Sequence, residues 1–164
     1  MASDMTLPID NGYVNVRVGA IIMQGDRFLM VGNDQSPYLY SVGGRLHFGE
    51  TAEEAVIREV FEETGIRMEI DRLGFVHENY FVADWQARRG KLYYEISFYF
   101  YMKTPEDFSP CAESFTEGGN LEHLVWVTPD SEVRYYPEFF RTELKAPSHE
   151  VKHFVTDERQ KAEL

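Results

Sequence analysis

The first part of the chain alternates apolar and polar positions, which is the pattern of a strand that buries one face. Between residues 14 and 23 every second position is apolar, and these positions are Val14, Val16, Val18, Ala20 and Ile22. Gln24-Gly25-Asp26 is typical of a tight turn, so residues 27–31 are predicted to return as the second strand of a hairpin. Residues 38–42 form a third predicted strand, which ends at two consecutive glycines.

The alternation gives way to helical spacing at residue 51. Thr51 is a suitable N-cap, and Glu53 and Glu54 lie in the first turn, where the helix dipole favours anions. Gly65 suits the position after the last helical residue. The sequence therefore predicts a helix from residue 51 to about residue 64.

The remaining pattern predicts strands, a loop and a second helix. The predicted elements are strands at 66–84 and 91–103 with a polar turn at 87–91, a loop at 104–120, a strand at 121–127, a helix at 137–145 and a short strand after 149. Strands interspersed with two helices predict an α/β fold, in which helices cover a mixed sheet. A chain of 164 residues is the size of one domain with a hydrophobic core.

One flank of the predicted helix carries three acids. With Glu59 set at 0° on the helical wheel, Glu63 lies near 40° and Glu62 near −60°, at about 100° per residue. The apolar positions of the helix occupy the adjoining flank. Like charges at these spacings destabilise a helix, whereas carboxylates on adjacent turns suit Mg²⁺ or Mn²⁺.

The composition describes an acidic globule. Lys and Arg number 16 against 28 Asp and Glu, for a net charge of −12, so the surface repels nucleic acid and anionic membranes. No run approaches the ~18 apolar residues of a membrane span, and residues 1–12 show no secretory signal. The single cysteine, Cys111, forms no internal disulfide, so we expect a cytoplasmic protein.

A second metal motif has to be weighed. Residues 149–153 read HEVKH, which matches the H-E-x-x-H pattern of zinc proteases. That chemistry needs a helix and a third ligand, but Val151 and Val155 alternate as in a strand. We therefore interpret this stretch as the polar end of a strand.

The spacing of the helix and its preceding loop gives the strongest functional signal. Residues 44–66 fit the pattern G-x5-E-x7-R-E-U-x-E-E-x-G-U, where U is apolar, and a chance match is about one in a million. This resembles the box of the Nudix (MutT-like) family at every defined position. The resemblance implies an α/β/α sandwich with a mixed β-sheet between helices, in one domain over residues 1–164 whose core spans about 12–160 between frayed ends.

The resemblance also implies an activity and a set of metal ligands. Nudix enzymes hydrolyse a diphosphate linkage in a nucleotide or nucleoside diphosphate derivative with the help of divalent cations. The metal ligands implied here are the Gly44 carbonyl, Glu50, Glu59, Glu62 and Glu63. Arg58 would hold these glutamates by hydrogen bonds, and the expected cofactor is Mg²⁺ or Mn²⁺.

The general base has two candidate positions. Some members of the family use a glutamate of the box, here Glu59 or Glu62. Others use a glutamate in the loop before a late strand, which here is Glu117, with Glu113 as the substitute. Both arrangements remain open.

The substrate contacts are less clearly marked. Arg17, Arg45, His47 and Tyr80 are the candidate substrate-binding residues, with Tyr40, Phe81 and Glu78 as further possibilities. A nucleotide-type small molecule is the expected partner, and dimers are common in the family. The alternative function is a non-catalytic Nudix-fold protein that senses a nucleotide.

Overall fold

The strands expected from the alternating pattern assemble into one mixed sheet. The computed structural model describes residues 2–110, 114–115 and 119–162. The strands in these ranges are β1 (Thr6–Ile9), β2 (Gly12–Ile21), β3 (Met23–Gln24), β4 (Arg27–Asn33), β5 (Leu39–Arg45), β6 (Glu69–Val82), β7 (Leu92–Lys103), β8 (Ser114–Phe115), β9 (Leu121–Val127), β10 (Tyr135–Tyr136) and β11 (Lys152–Asp157). Two α-helices, α1 (Ala52–Thr64) and α2 (Phe140–Glu143), and a 3₁₀ turn at Arg159–Lys161 complete these elements.

The order of the strands places β2, β5 and β7 near the middle of the sheet. The order is β11-β6-β7-β2-β5-β4-β9-β8, with β1 beside β2, β10 beside β5 and β3 beside β4. The pairs β2/β7, β6/β11 and β5/β10 are parallel, and the other pairs are antiparallel. The sheet is therefore mixed, as predicted.

Apolar side chains cover both faces of the sheet. In β4, Leu29 and Val31 belong to one buried cluster, whereas Phe28 and Met30 belong to the other. The first cluster includes Val56 and Val60 of α1. The second includes aromatic residues at α2, so each face of the sheet is buried beneath a helical segment. This arrangement is the predicted α/β/α sandwich.

Helix α1 begins and ends where its capping residues predict. The Thr51 Oγ1 accepts a hydrogen bond from the Glu54 N–H at 3.2 Å, and the Glu54 Oε2 accepts one from the Thr51 N–H at 2.8 Å. Gly65 has φ 76°, a left-handed conformation, and its N–H donates to the Phe61 carbonyl at 2.8 Å. These contacts fix both ends of the helix that carries the acids.

Other element boundaries differ from the sequence prediction. The strand predicted over 14–23 is divided into β2 and β3, and the segment ahead of it contributes β1, which pairs with β2. The helix predicted over 137–145 is shorter, because Tyr136 lies in a strand and residues 137–139 form a turn with hydrogen bonds to residues 140 and 141. Neither helix is long and apolar enough to cross a membrane, within the ranges described.

Candidate active site

The candidate site lies where strand β5 separates from β4. The two strands pair only at Met30/Ser41 and Val31/Tyr40, whereas residues 42–45 of β5 pair with β2. Beyond this point the Gly43 N–H donates to the Glu63 Oε2 at 2.8 Å. A side chain of α1 therefore occupies the position that a strand partner would have taken. Glu63 is only 6% exposed.

Gly44 allows the second acid to approach the sheet. A Cβ atom at this position would lie 2.4 Å from the Glu59 Oε1 and 2.8 Å from its Oε2. Such a contact is shorter than van der Waals packing permits, so any side chain at Gly44 would displace the Glu59 carboxylate. Glycine is required here for close approach of the backbone.

Arg58 joins the acids into one network. Its Nη1 donates to the Glu59 Oε1 at 2.7 Å and to the Glu62 Oε2 at 3.3 Å. Its Nε and Nη2 donate to the two oxygens of Glu50 at 3.1 and 2.6 Å. Nη2 also donates to the Arg45 carbonyl at 3.1 Å, which attaches the helix to the end of β5. The resemblance to the Nudix box predicts that Arg58 holds these glutamates by hydrogen bonds.

The carboxylates of the site differ in their electrostatic state. Burial raises the pKa of Glu59, which Glu62 raises further, although Arg58 opposes both effects. Burial holds the pKa of Glu63 well above its usual value, against the hydrogen bond from Gly43. By contrast, hydrogen bonds from Arg58 lower the pKa of Glu50. Glu62 is 53% exposed and lies at the rim.

In the buried acids of the site, burial raises the pKa more than the positive charges of Arg58 and Arg17 lower it. Burial alone would lower the pKa of Arg58, but its hydrogen bonds to Glu50 and Glu59 hold that pKa above its usual value. Arg58 is therefore a protonated cation that is hydrogen-bonded to these acids. It does not contact Glu63 within the described hydrogen bonds, and a positive ion would favour the charged form of that carboxylate.

Strand β9 contributes an acid that the sequence analysis missed. The Tyr40 hydroxyl donates to the Glu122 Oε2 at 2.5 Å and accepts from the Asn33 Nδ2 at 2.9 Å. The charge of Glu122 also raises the pKa of Glu63, so Glu122 belongs to the electrostatic environment of the α1 acids. The available signal was a glutamate inside a largely apolar strand, five positions after Glu117.

The two predicted arginines lie side by side near the acids. Arg17 and Arg45 are opposed in the β2/β5 register, and the Arg17 Nη1 lies 4.0 Å from the Glu95 Oε2. Burial opposes ionisation of Arg17, but Glu95, Glu59 and Glu63 together raise its pKa. Arg17 is 35% exposed and can therefore reach a ligand.

The segment ahead of β1 contacts the loop between β5 and α1. Asp4 forms an ion pair with the Arg45 Nη2 at 3.0 Å, and its other carboxylate oxygen lies 3.3 Å from the His47 Nε2. Arg45 also donates to the Thr6 Oγ1 at 2.9 Å. Both predicted phosphate-binding residues thus have protein partners from residues that the sequence analysis left without a role.

Tyr80 and Glu78 lie on the other face of the sheet from Arg17. Tyr80 is registered with Tyr94, its ring centroid 4.6 Å away, and Glu78 accepts from the Tyr94 hydroxyl at 2.6 Å. The structure does not bring either residue to the arginines, because they align with the α1 face of β2. The cause is strand register, which the sequence does not specify. We omit Tyr80 from the substrate contacts proposed below.

The remaining predicted residues divide into two groups. Glu117, Glu113 and Cys111 lie outside the described residues. His153 lies in strand β11 and contacts the Glu78 Oε2 at 2.6 Å, so the HEVKH motif lacks the helix that a zinc protease requires. As placed, no three acidic, histidine or cysteine side chains in the described ranges are grouped to hold a metal ion.

Comparisons with known proteins agree with this geometry. The sequence profile of the NUDIX domain matches residues 14–144. A MutT-like protein of Streptomyces ambofaciens is 39% identical over 61 residues, which are 37% of this chain and 40% of that relative. The match thus spans less than half the length of the curated relative.

Solved structures share the fold at low sequence identity. A mutator MutT protein from Bacillus halodurans has a TM-score of 0.59 at 18% identity, covering 86% of this chain and 90% of that one. An ADP-ribose pyrophosphatase from Streptococcus suis has a TM-score of 0.56 at 17% identity, covering 86% and 98%. The NUDIX profile matches most of the chain, and the acids of the box lie at one break in the sheet. The chain therefore belongs to the Nudix family.

Proposed function

We propose that this protein is a divalent-metal-dependent hydrolase that cleaves a diphosphate linkage in a nucleotide or nucleoside diphosphate derivative. One observation carries the proposal: Glu59 and Glu63 of a single helix are held, largely buried, against the Gly43–Gly44 backbone. Concentrating buried acids is unfavourable unless a cation joins them.

The chemistry of the donors fits Mg²⁺ or Mn²⁺. Glu59, Glu63, Glu62, Glu50 and the Gly44 carbonyl would hold the ion, and all of them offer the hard oxygen that these cations prefer. Because the acids do not converge as placed, binding requires the exposed Glu62 and its neighbours to change rotamer. The bound metal would neutralise phosphate charge and make water more acidic.

The chain's own residues supply orientation and proton transfer. Arg58 fixes Glu50 and Glu59 in place, and its hydrogen bond to the Arg45 carbonyl keeps them aligned with β5. Arg17 presents positive charge to phosphate oxygens. Glu59 and Glu62 are one choice of general base, and Glu117 is the other.

Hydrolysis of a nucleotide panel tests the proposal. The panel contains nucleoside triphosphates, ADP-ribose, sugar nucleotides and dinucleoside polyphosphates, each with Mg²⁺ and with Mn²⁺. We expect metal-dependent cleavage, and a loss of at least about a hundredfold in Glu59→Gln and Glu63→Gln because the ion loses an anionic ligand. Glu53→Gln is the matched control, since Glu53 is an exposed acid of the same helix. Equal turnover by all three variants would refute the assigned roles.

The second candidate function is nucleotide sensing without cleavage. A sensor would bind members of the same panel, and its melting temperature would rise with nucleotide, but it would release no product. A protein of either kind contrasts with a purely structural acidic domain, whose stability millimolar Mg²⁺ would leave unchanged beyond the effect of matched NaCl.

We also propose that the protein works in a reducing cytoplasm, on the ground of its single cysteine. A homodimer is a further proposal, which sedimentation analysis of the purified protein would test.

A further inference from the structure

A buried asparagine on the central strand has an unused hydrogen-bonding atom. Asn15 is 7% exposed, and its Nδ2 donates to the Glu95 Oε2 at 3.2 Å. Among the described residues its Oδ1 has no hydrogen-bond partner. Burying an unsatisfied oxygen is costly, so this atom is a candidate acceptor for a ligand that donates a hydrogen bond to it.

Asn15 lies in line with the candidate phosphate site. Alternate residues of a strand face the same side, so Tyr13, Asn15 and Arg17 line one face of β2 at intervals of about 7 Å. Arg17 is at the end of this row near Glu59 and Glu63, which raise its pKa. Along this face of β2, Arg17 therefore lies nearest the acids of α1, and the unpaired Asn15 Oδ1 lies on the far side of Arg17 from them.

Aromatic rings form the far end of the same row. Tyr13 stacks on Tyr93 with centroids 5.1 Å apart, and Phe81 stacks on the other side at 5.2 Å. Trp85 lies 5.1 Å from Tyr93 and is 43% exposed, and the Arg88 guanidinium lies 4.0 Å from the Tyr13 ring. Both faces of the buried Tyr93 ring are thus covered, so a bound planar heterocycle would contact the outer rings of this aromatic cluster, Tyr13 and the exposed Trp85.

We propose that Asn15 determines base specificity by accepting a hydrogen bond from an amino-substituted nucleobase, which contacts the outer rings of the aromatic cluster, Tyr13 and Trp85, while the phosphates of the same nucleotide reach Arg17. This inference rests on the proposed function, because it assigns the nucleoside end of the same substrate. Adenine, guanine and cytosine carry exocyclic amino groups, and uracil and hypoxanthine do not.

The polarity of the row selects for donors. The Asn15 Oδ1 is an acceptor, and the neighbouring Glu95 carboxylate is acceptor-only when ionised. A base with a carbonyl at the contact position would set oxygen against oxygen, and a site built for hydrogen bonding rejects a ligand that leaves its polar groups unpaired. The Glu95 Oε2 lies 4.0 Å from the Arg17 Nη1, so the positive charge of Arg17 lies beside Glu95, on the side where the phosphates would bind.

Binding of nucleoside monophosphates tests the proposal without involving hydrolysis, because these ligands contain no phosphoanhydride. Calorimetry with the full chain and Mg²⁺ compares GMP with IMP, CMP with UMP, and AMP with purine riboside monophosphate. We expect the amino-bearing member of at least one pair to bind about tenfold more tightly in the wild type. Asn15→Leu, which keeps the branching at Cγ but removes the acceptor, should reduce that ratio to about one.

The controls separate specificity from stability. Thr104 Oγ1 is also buried without a hydrogen-bond partner in the described residues, so Thr104→Val removes a comparable atom elsewhere and should leave the ratio intact. Asn15→Ala is the second variant if the leucine does not fold. Equal binding within every pair by the wild type, or a preference that survives both Asn15 variants, would overturn the proposal. Loss of the panel hydrolysis alone would instead count against the proposed enzyme.

Discussion

At the scale of single residues, the site depends on Gly44 having no side chain. The Glu59 carboxylate occupies the space where a Cβ of residue 44 would lie. The acid and the glycine are 15 positions apart in sequence and belong to different elements, yet neither position can change alone. The site is therefore a property of the contact between β5 and α1.

Gly44→Ala should damage activity more than stability. The added methyl would push Glu59 from its place, and a displacement of about 1 Å at a reacting centre costs roughly a hundredfold in rate. Gly49→Ala is the control: it introduces backbone strain at φ 103°, but its Cβ would meet no atom within 4 Å. Initial rates and melting temperatures of both variants check this expectation. An active Gly44→Ala enzyme with an unchanged metal response would contradict it.

Residues of the site also show what sequence alone can predict. Glu59, Glu62, Glu63 and Arg58 lie within one helix, so local spacing was enough to predict that they share one flank of it. Glu122 and Asn15 act through partners about 80 positions away, and such pairings depend on strand order and register. The face of the sheet on which Tyr80 lies depends on the same register.

At the scale of elements, the capping of α1 sets the direction of its acids. Thr51 and Glu54 hold the first turn by reciprocal hydrogen bonds, and Gly65 ends the last one. These local signals made α1 predictable in position and length. The second helix and β1 were not, because β1 forms only through pairing with β2 and α2 follows a strand that pairs with β5.

Removal of the cap should weaken the whole domain. Thr51→Ala leaves the Glu54 N–H without its acceptor, and the free energy of unfolding should fall by about 1 kcal/mol. Thr51→Ser keeps the hydroxyl and should lose much less. Urea unfolding followed by circular dichroism measures both variants, and equal midpoints for alanine and serine would exclude the capping contribution.

At the scale of the whole molecule, burial of an ionisable ring links folding to pH. Burial, aided by the charge of His153, lowers the pKa of His77 to about 4. Its Nε2 lies 2.9 Å from the Thr156 Oγ1, and its ring packs edge-on against Phe139. His77 thus connects β6 to β11 and to the segment before α2.

The sign of the pH dependence follows from that pKa. The unfolded histidine has a pKa near 6.5, so the unfolded chain binds the proton more readily, and the stabilisation present above pH 6.5 is lost as pH falls towards 4. Between pH 7 and pH 5 the loss is about 2 kcal/mol. His77→Gln should reduce this slope, whereas His149→Gln, at an exposed site, should not. Parallel slopes in urea unfolding for all three proteins would exclude His77 as the source.

The hydrogen bond from Gly43 to Glu63 has a further consequence for how such a protein can change over time. Under the proposed function the carboxylate takes part in the chemistry, and it also covers a bare strand edge, where uncovered edges template aggregation. A relative that loses hydrolysis would therefore expose this strand edge if it replaced the glutamate with a small residue. Glutamine retains an oxygen that can accept from the Gly43 N–H, so it keeps the strand edge covered. We therefore expect relatives that have lost hydrolysis to carry glutamine at this position before they carry a smaller residue.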